Sequence, residues 1–223
     1  MELFENKNIV YVEKADFSFD GSVTITLSDE RRLKLATDKW MAMDISKEKA
    51  LSHEEQLILE KESCYIKIRE KMLSLLTKRE HSAFELRRKI RARFYKSSMF
   101  NVYELVERCL LEMQERNFQS DERFASLFVE SKINNNQYGP FRILQDLHNR
   151  GISREMSEKI MQKLSNHDLW IEKALNYLER YNKKRKDLRP AVLSQKLYQR
   201  GFSWETIEQV IPEYQSRIEH SDS

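Results

Sequence analysis

The sequence predicts a mainly all-α protein: three tandem three-helix repeats in an elongated, curved array, preceded by a small β-sheet or hairpin extension. Three observations predict it. Residues 139–160 recur at 189–210 with a fixed offset of fifty, so that Pro140, Leu147, Arg150, Gly151, Ser153 and Glu155 return as Pro190, Leu197, Arg200, Gly201, Ser203 and Glu205. A fixed period that keeps apolar, Gly and Pro positions marks a duplicated supersecondary unit. The composition, with 34% charged residues and only four Gly and three Pro among 223 residues, suits helices with solvated faces. Strand-forming runs are confined to the head of the chain, on either side of the hairpin turn signal Asp20-Gly21.

The expected segments are residues 1–50 for the acidic β extension, 51–118, 119–166 and 167–215 for the repeats, and 216–223 for a polar tail. In the head, residues 9–12, 23–27 and 33–35 have strand composition. Three such strands are marginal alone and should pack on the helix that follows. Ser52 with Glu55 forms a capping box, after which Leu57, Cys64, Ile68, Met72 and Leu75 lie on one helical face. Ser82 with Glu85 forms a second box, opening a helix through Phe84, Leu86 and Ile90. Val102, Leu105, Val106, Cys109, Leu110 and Met113 make a third apolar stripe. Asp121 is expected to cap the next helix, with Phe124, Ala125, Phe128 and Ser131 facing inward.

Each later repeat then follows one order. A longer helix (about 121–135, then 168–182) leads to a loop and a Pro in the first turn of a second helix. Gly151 and Gly201 close that helix in the left-handed conformation, and Ser153 and Ser203 cap a third. Residues 65–117 give the same order, with Phe84 corresponding to Phe141 and Phe94 standing where the other copies have Gly. A unit of about fifty residues has a marginal core, so the three should stack.

Charge and chemistry narrow the function. Acids outnumber bases over residues 1–60 and the reverse holds over 61–118, which suggests different partners for the two ends or mutual attraction between them. No apolar run approaches the roughly 18 residues of a membrane span, and the acidic start lacks the form of a signal peptide. Cys64 and Cys109 lie in helix-like rows without CxxC spacing, as reduced thiols of a cytoplasmic protein would. The five histidines show no ligand spacing and no Gly-rich phosphate loop exists, so neither metal, cofactor nor catalytic residue is expected.

The run Asp121-Glu122-Arg123-Phe124-Ala125, then Ser131-Lys132-Ile133-Asn134, then Gly139-Pro140-Phe141-Arg142-Ile143 through Leu147, Arg150, Gly151 and Ile152, resembles the RecX regulatory protein family. Leu197, Arg200, Gly201, Phe202 and Ser203 are similar to that family's C-terminal repeat, and Arg79-Glu80-His81-Ser82 with Glu85-Leu86 to its first-repeat signature. The match covers roughly residues 60–211, and Gly-Pro-x-Arg-Ile is its most specific part. The resemblance implies a non-enzymatic, monomeric modulator of the bacterial recombinase RecA. Such proteins lie in the groove of the RecA filament on single-stranded DNA, bridge neighbouring protomers, and usually inhibit ATP turnover, strand exchange or filament growth in recombination and repair.

Candidate contact residues follow from the charge pattern. Between Leu86 and Tyr103 there is no acid, while Arg87, Arg88, Lys89, Arg91, Arg93 and Lys96 are present with Phe94 and Tyr95 among them. This stretch is expected to meet phosphates or an acidic partner surface, the alternative being a solvated helix face and loop. Six phosphate contacts would give a log-affinity slope against log salt of about −4 to −5. Lys183, Lys184, Arg185 and Lys186 form a second basic run in the loop before Pro190, either a contact or a solubilising loop. Arg123, Lys132 and Arg142 complete the candidate set. Arg142, Arg150 and Arg200 could anchor structural pairs or reach a partner, and repetition favours the structural role for the last two. A helix-turn-helix DNA-binding module is the competing class, because Gly201-Phe202-Ser203 with Ile207 and Val210 resembles its turn and third helix. That helix would present Glu205 and Glu208 to a phosphate-lined groove, which disfavours it.

Overall fold

A computed structural model of the chain describes residues 9–45, 48–95, 100–135, 138–185 and 189–221, with the side chains of 183–185, 219 and 221 left out. It divides into two compact units, Met1–Arg79 with Leu86–Arg116, and Glu80–Glu85 with Asn117–Ser223. Among the described residues there are three strands and ten helices.

The first unit opens with β1 (Val12–Phe17), β2 (Ser22–Leu27) and β3 (Arg32–Ala36), an antiparallel sheet in that order. Ile25 stands opposite Ala15 and Leu33, and Val23 opposite Phe17 and Leu35. The turn at Asp20-Gly21 is held by Asp20 Oδ1, which accepts from the Ser22 amide at 3.1 Å. Strand β1 lies later than the expected 9–12. The backbone at Val10 and Tyr11 is used elsewhere: Leu51 N donates to Val10 O at 2.7 Å, and Tyr11 bridges Ala50. Only Val12 of β1 is buried, so the strand has no apolar alternation to reveal it.

A short helix that the sequence pattern does not announce, α1 (Thr37–Ala42), follows and buries Trp40 against the sheet residues Val23, Ile25, Leu27 and Leu35. Helix α2 (His53–Leu76) carries the expected Ser52–Glu55 capping box. Its inner surface differs from the expected single face. Leu59 joins the core under the sheet, and Ser63 Oγ accepts from the Lys34 amide at 3.1 Å. Tyr65 and Met72 instead meet α4 (Val102–Glu115). Leu57, Cys64 and Leu75 are only partly buried because the helix serves two neighbours at once. The stripe read for α4 is buried in full. Helix α3 (Ala83–Phe94) buries Leu86 and Ile90 but leaves Phe84 44% exposed.

The second unit contains α5 (Asp121–Asn134), α6 (Pro140–His148), α7 (Arg154–Leu164), α8 (His167–Arg185), α9 (Pro190–Gln199) and α10 (Trp204–Ser221). One continuous core runs through both triplets, from Phe124, Ala125 and Ile143 to Leu197, Phe202 and Tyr214. Ser120, not Asp121, caps α5, its hydroxyl accepting from the Arg123 amide. Asp121 caps a different helix: its Oδ1 accepts from Ala83 N at 2.8 Å, at the start of α3. Val129 and Ile133 complete the inner face of α5, whereas Ser131 is exposed. Helix α10 continues to Ser221, past the boundary expected at 215.

The repeated turns match atom for atom. Ile152 N donates to Leu147 O, and Phe202 N to Leu197 O, both at 3.2 Å. Gly151 and Gly201 have φ of +78° and +85°, which closes each helix as the pattern predicts. Ser153 and Ser203 cap the helices that follow, accepting from Met156 N and Thr206 N.

Candidate partner interface

The acid-free basic stretch does not act as one surface. Glu107 of α4 accepts from Arg87 at 2.9 Å and from Arg91 at 2.8 Å. The hydrogen bond from Arg87, outweighing partial burial, holds the Glu107 carboxyl below the usual carboxylate range. The Arg91 guanidinium also lies 3.2 Å from the Tyr103 ring centroid, so both arginines are committed to joining α3 and α4. Arg88, Lys89 and Arg93 are exposed and carry no ion pair among the described residues. Lys96 lies outside the described residues.

Arg93 has company that the linear pattern hides. With Lys67 and Lys71 of α2 it borders an open groove of about 540 Å³, also lined by Ser74 and Phe94. Glu70, the one acid on this rim, is taken by Lys34 at 2.7 Å. The i,i+4 spacing of Lys67 and Lys71 is the signal that places them on one side of α2.

The remaining candidates differ in kind. Arg123 pairs with Glu80 and donates to the carbonyls of Asn117 and Phe118, clamping the turn before α5. Lys132 sits 5.2 Å from the Phe128 ring centroid and 5.1 Å from that of Tyr138. Arg142 is half-exposed and reaches Asp146 at 3.4 Å. Lys183, Lys184 and Arg185 belong to the last turn of α8 rather than to a loop, and their side chains, like all of Lys186, lie outside the described residues.

The second unit contains two corresponding joints, held by different bonds, each setting the start of one repeat's middle helix on the glycine turn of the next. Ser82 Oγ donates to Arg150 O at 2.7 Å, and Gly151 lies against Phe84. At the next joint Gly139 N donates to Arg200 O at 2.9 Å and Phe141 N to Gly201 O at 3.0 Å. Arg150 then stacks 4.9 Å from the Phe128 centroid, as Arg200 does 5.3 Å from that of Tyr177. Both arginines therefore hold their repeats together, as their repetition suggests. The Glu85 carboxyl of the buried His81–Glu85 pair, itself at 2.8 Å, also faces Arg150 at 3.9 Å.

A polar cleft of about 500 Å³ in the first unit lies between the sheet edge and α2 with α4. Its floor is an internal network. Burial alone would raise the Glu112 carboxyl, but hydrogen bonds from Tyr65 and Arg69 outweigh it and hold it low. Burial, and then the Glu112 carboxylate, push the Tyr65 phenol up. Arg108 is held by Glu62 at 2.8 Å and lies 4.0 Å from the Tyr65 centroid. These groups satisfy one another. Among the described residues no three His, Cys, Asp or Glu side chains are grouped to hold a metal, and no helix is long and apolar enough to cross a membrane.

Comparison with known proteins agrees with this arrangement. The family model "RecX, second three-helix domain" matches residues 120–161, which hold α5, α6 and most of α7. A regulatory protein RecX from Legionella pneumophila (strain Corby) is 31% identical over 147 residues, covering 65% of this chain and 92% of the relative. One from Clostridioides difficile (strain 630) is 25% identical over 197 residues, covering 86% and 89%. A crystal structure of regulatory protein RecX superposes with a TM-score of 0.71 at 19% identity, over 91% of this chain and 98% of that one. The RecX structure from Lactobacillus salivarius gives 0.58 at 21% identity, over 68% and 97%. With tandem helix triplets locked by repeated turns and a relative matched over nearly its whole length, the chain belongs to the RecX family of regulatory proteins.

Proposed function

We propose that this protein binds the RecA filament on single-stranded DNA and inhibits its ATP turnover, strand exchange and growth, acting as a cytoplasmic monomer in recombination and repair without chemistry of its own. Three tandem repeats after the β extension would bridge neighbouring protomers. The observation that carries the reading, beyond family membership, is the repeated joint: at each one the carbonyl of a turn arginine, Arg150 or Arg200, accepts a hydrogen bond from the residue that opens another repeat's middle helix, and the same arginine stacks on an aromatic ring. Repeats joined by a recurring device suit a partner that itself repeats, where several weak contacts gain through effective concentration. Arg88, Lys89 and Arg93 are the cations this reading places toward the filament.

The test is RecA ATPase on single-stranded DNA, titrated with this protein, beside binding to bare DNA at several salt concentrations. Loss of ATPase at salt where bare-DNA binding has vanished is the expected result. Three phosphate contacts, rather than six, would give a bare-DNA slope of only about −2 to −3. Unaltered ATPase with tight, steeply salt-dependent DNA binding would favour the helix-turn-helix reading instead. The surface of α10 argues against that outcome: Trp204 is 59% exposed, Glu205 and Glu208 are exposed beside it, and on α7 Arg154 is taken by Glu158 at 2.7 Å.

A further inference from the structure

We propose that the end of α9 and the facing side of α8 form a pocket for a carboxylate side chain of an acidic protein segment. The pocket holds about 240 Å³ and is lined by Tyr177, Tyr181, Lys196, Gln199 and Arg200, with no carboxylate among them. Arg200 is partly buried and pre-oriented. Its Nε donates to the Tyr177 hydroxyl at 3.3 Å, and its guanidinium lies near the Tyr177 and Tyr138 rings, 5.3 and 5.6 Å from their centroids. Its terminal nitrogens have no partner among the described residues, and Lys196 Nζ reaches only Gln199 Oε1, at 3.4 Å. A held guanidinium with a free fork is suited to a planar carboxylate, which it can bind through two parallel hydrogen bonds.

The preceding repeat shows what is missing. There Arg150 stacks on Phe128 just as Arg200 stacks on Tyr177, but Glu85 faces it at 3.9 Å. By the correspondence of Phe84 with Phe141, the residue in Glu85's place at the second joint is Arg142. The counterpart of Lys196 is Asp146, an acid taken by Arg142. One joint thus supplies its own carboxylates, while the other has replaced both with cations and left a pocket between tyrosines. A partly buried cation gains most from a partner that is also desolvated. The size points to a single side chain, because ligand pockets of whole small molecules start at about 300 Å³. Among the described residues two cations, Lys196 and Arg200, line the pocket, whereas a nucleic-acid strand is held by a track of them.

The experiment uses the full chain and no RecA, so its outcome is separate from that of the filament assay. C-terminally amidated, fluorescein-labelled hexaglutamate is titrated at low salt and followed by anisotropy, beside an equally labelled thymidine heptanucleotide whose phosphodiesters match the side-chain carboxylates in number. Lys196→Asp copies the preceding repeat and disturbs only the contact with Gln199; it should weaken hexaglutamate binding by about tenfold or more, the loss expected for one charge-assisted hydrogen bond. Arg200→Gln should do the same. Lys163→Asp, an equal charge change on an exposed turn of α7, should bind like the native chain, and the thymidine oligomer should be insensitive to all three. The proposal is overturned if the native chain does not bind hexaglutamate, or if Lys163→Asp weakens it as much as Lys196→Asp. It is also overturned if the oligomer rather than the peptide depends on Lys196, which would assign the pocket to phosphate.

Discussion

Replacing Gly139 with Ala isolates the tightness of the second joint. Gly139 caps α6 at φ −81° and ψ 173°, a conformation open to any L-residue, so no dihedral penalty enters. The cost is steric. A Cβ there would stand 2.4 Å from Gly201 C, Gly201 O and Phe202 N, all backbone atoms that cannot rotate away. Reaching an ordinary contact requires the turn and the helix start to part by about 1 Å, a displacement that overpacking studies put at about 1–3 kcal/mol. The same displacement stretches Gly139 N to Arg200 O and Phe141 N to Gly201 O, now 2.9 and 3.0 Å. Losing one or both adds about 0.5–1.5 kcal/mol each, for a total of about 1.5–6 kcal/mol. For a unit of this size each kcal/mol lowers Tm by about 3–6 °C, so thermal unfolding followed by circular dichroism should show a fall of at least about 4 °C. Gly201→Ala should fall further, since it adds a left-handed φ penalty of about 1–2 kcal/mol to its clash with Arg142. A Gly139→Ala Tm within about 1 °C of the native value would refute the reasoning, because the joint would then be loose enough to absorb a methyl group.

Three further outcomes are expected. Reversing Arg88, Lys89 and Arg93 together should reduce filament association while shifting the urea midpoint little, as exposed changes cost within about 0.5 kcal/mol each; Arg91→Glu, which breaks the pair with Glu107 and the stack on Tyr103, should lower the midpoint itself. Because Arg87 lowers the Glu107 carboxyl pKa in the folded state, that group stabilises the fold above its unfolded pKa and loses this as pH falls through the folded value; Glu107→Gln should therefore destabilise at pH 7 and flatten the loss of stability on acidification below about pH 4.5, read from urea midpoints against pH. Burial pushes the Cys109 thiol up to about 12, so a Cys64→Ser variant should give no colour with a thiol-exchange reagent at pH 8 until urea unfolds it, and prompt reaction in the folded state would mean that α4 opens readily from α2.

What could be read from the chain and what could not divide along a physical line. The caps and stops were legible because each is a local device: Ser52 with Glu55, Pro140 and Pro190 at helix starts, Gly151 and Gly201 at helix ends. The α4 stripe was legible because the helix buries one face. Wherever the deciding partner lies far away in sequence, the local pattern misleads. Asp121 looks like the cap of its own helix but bonds Ala83 N, leaving Ser120 to cap α5. Helix α2 shows a blurred face because it packs on a sheet and on α4 at once. The stretch from Leu86 to Tyr103 contains no acid, yet Glu107 from the next helix neutralises part of it. The two Arg-Gly pairs carry the lesson furthest. They are identical in sequence, identical in turn geometry, and alike in stacking on an aromatic ring, so the repeat explains why both are present. It does not explain what each can bind, since Arg150 faces Glu85 and Arg200 faces no acid among the described residues. In a chain built by duplication the retained residues build the joint. The departures from the repeat, here Arg142 for Glu85 and Lys196 for Asp146, give each copy its own surface, and partner selectivity has to be sought there.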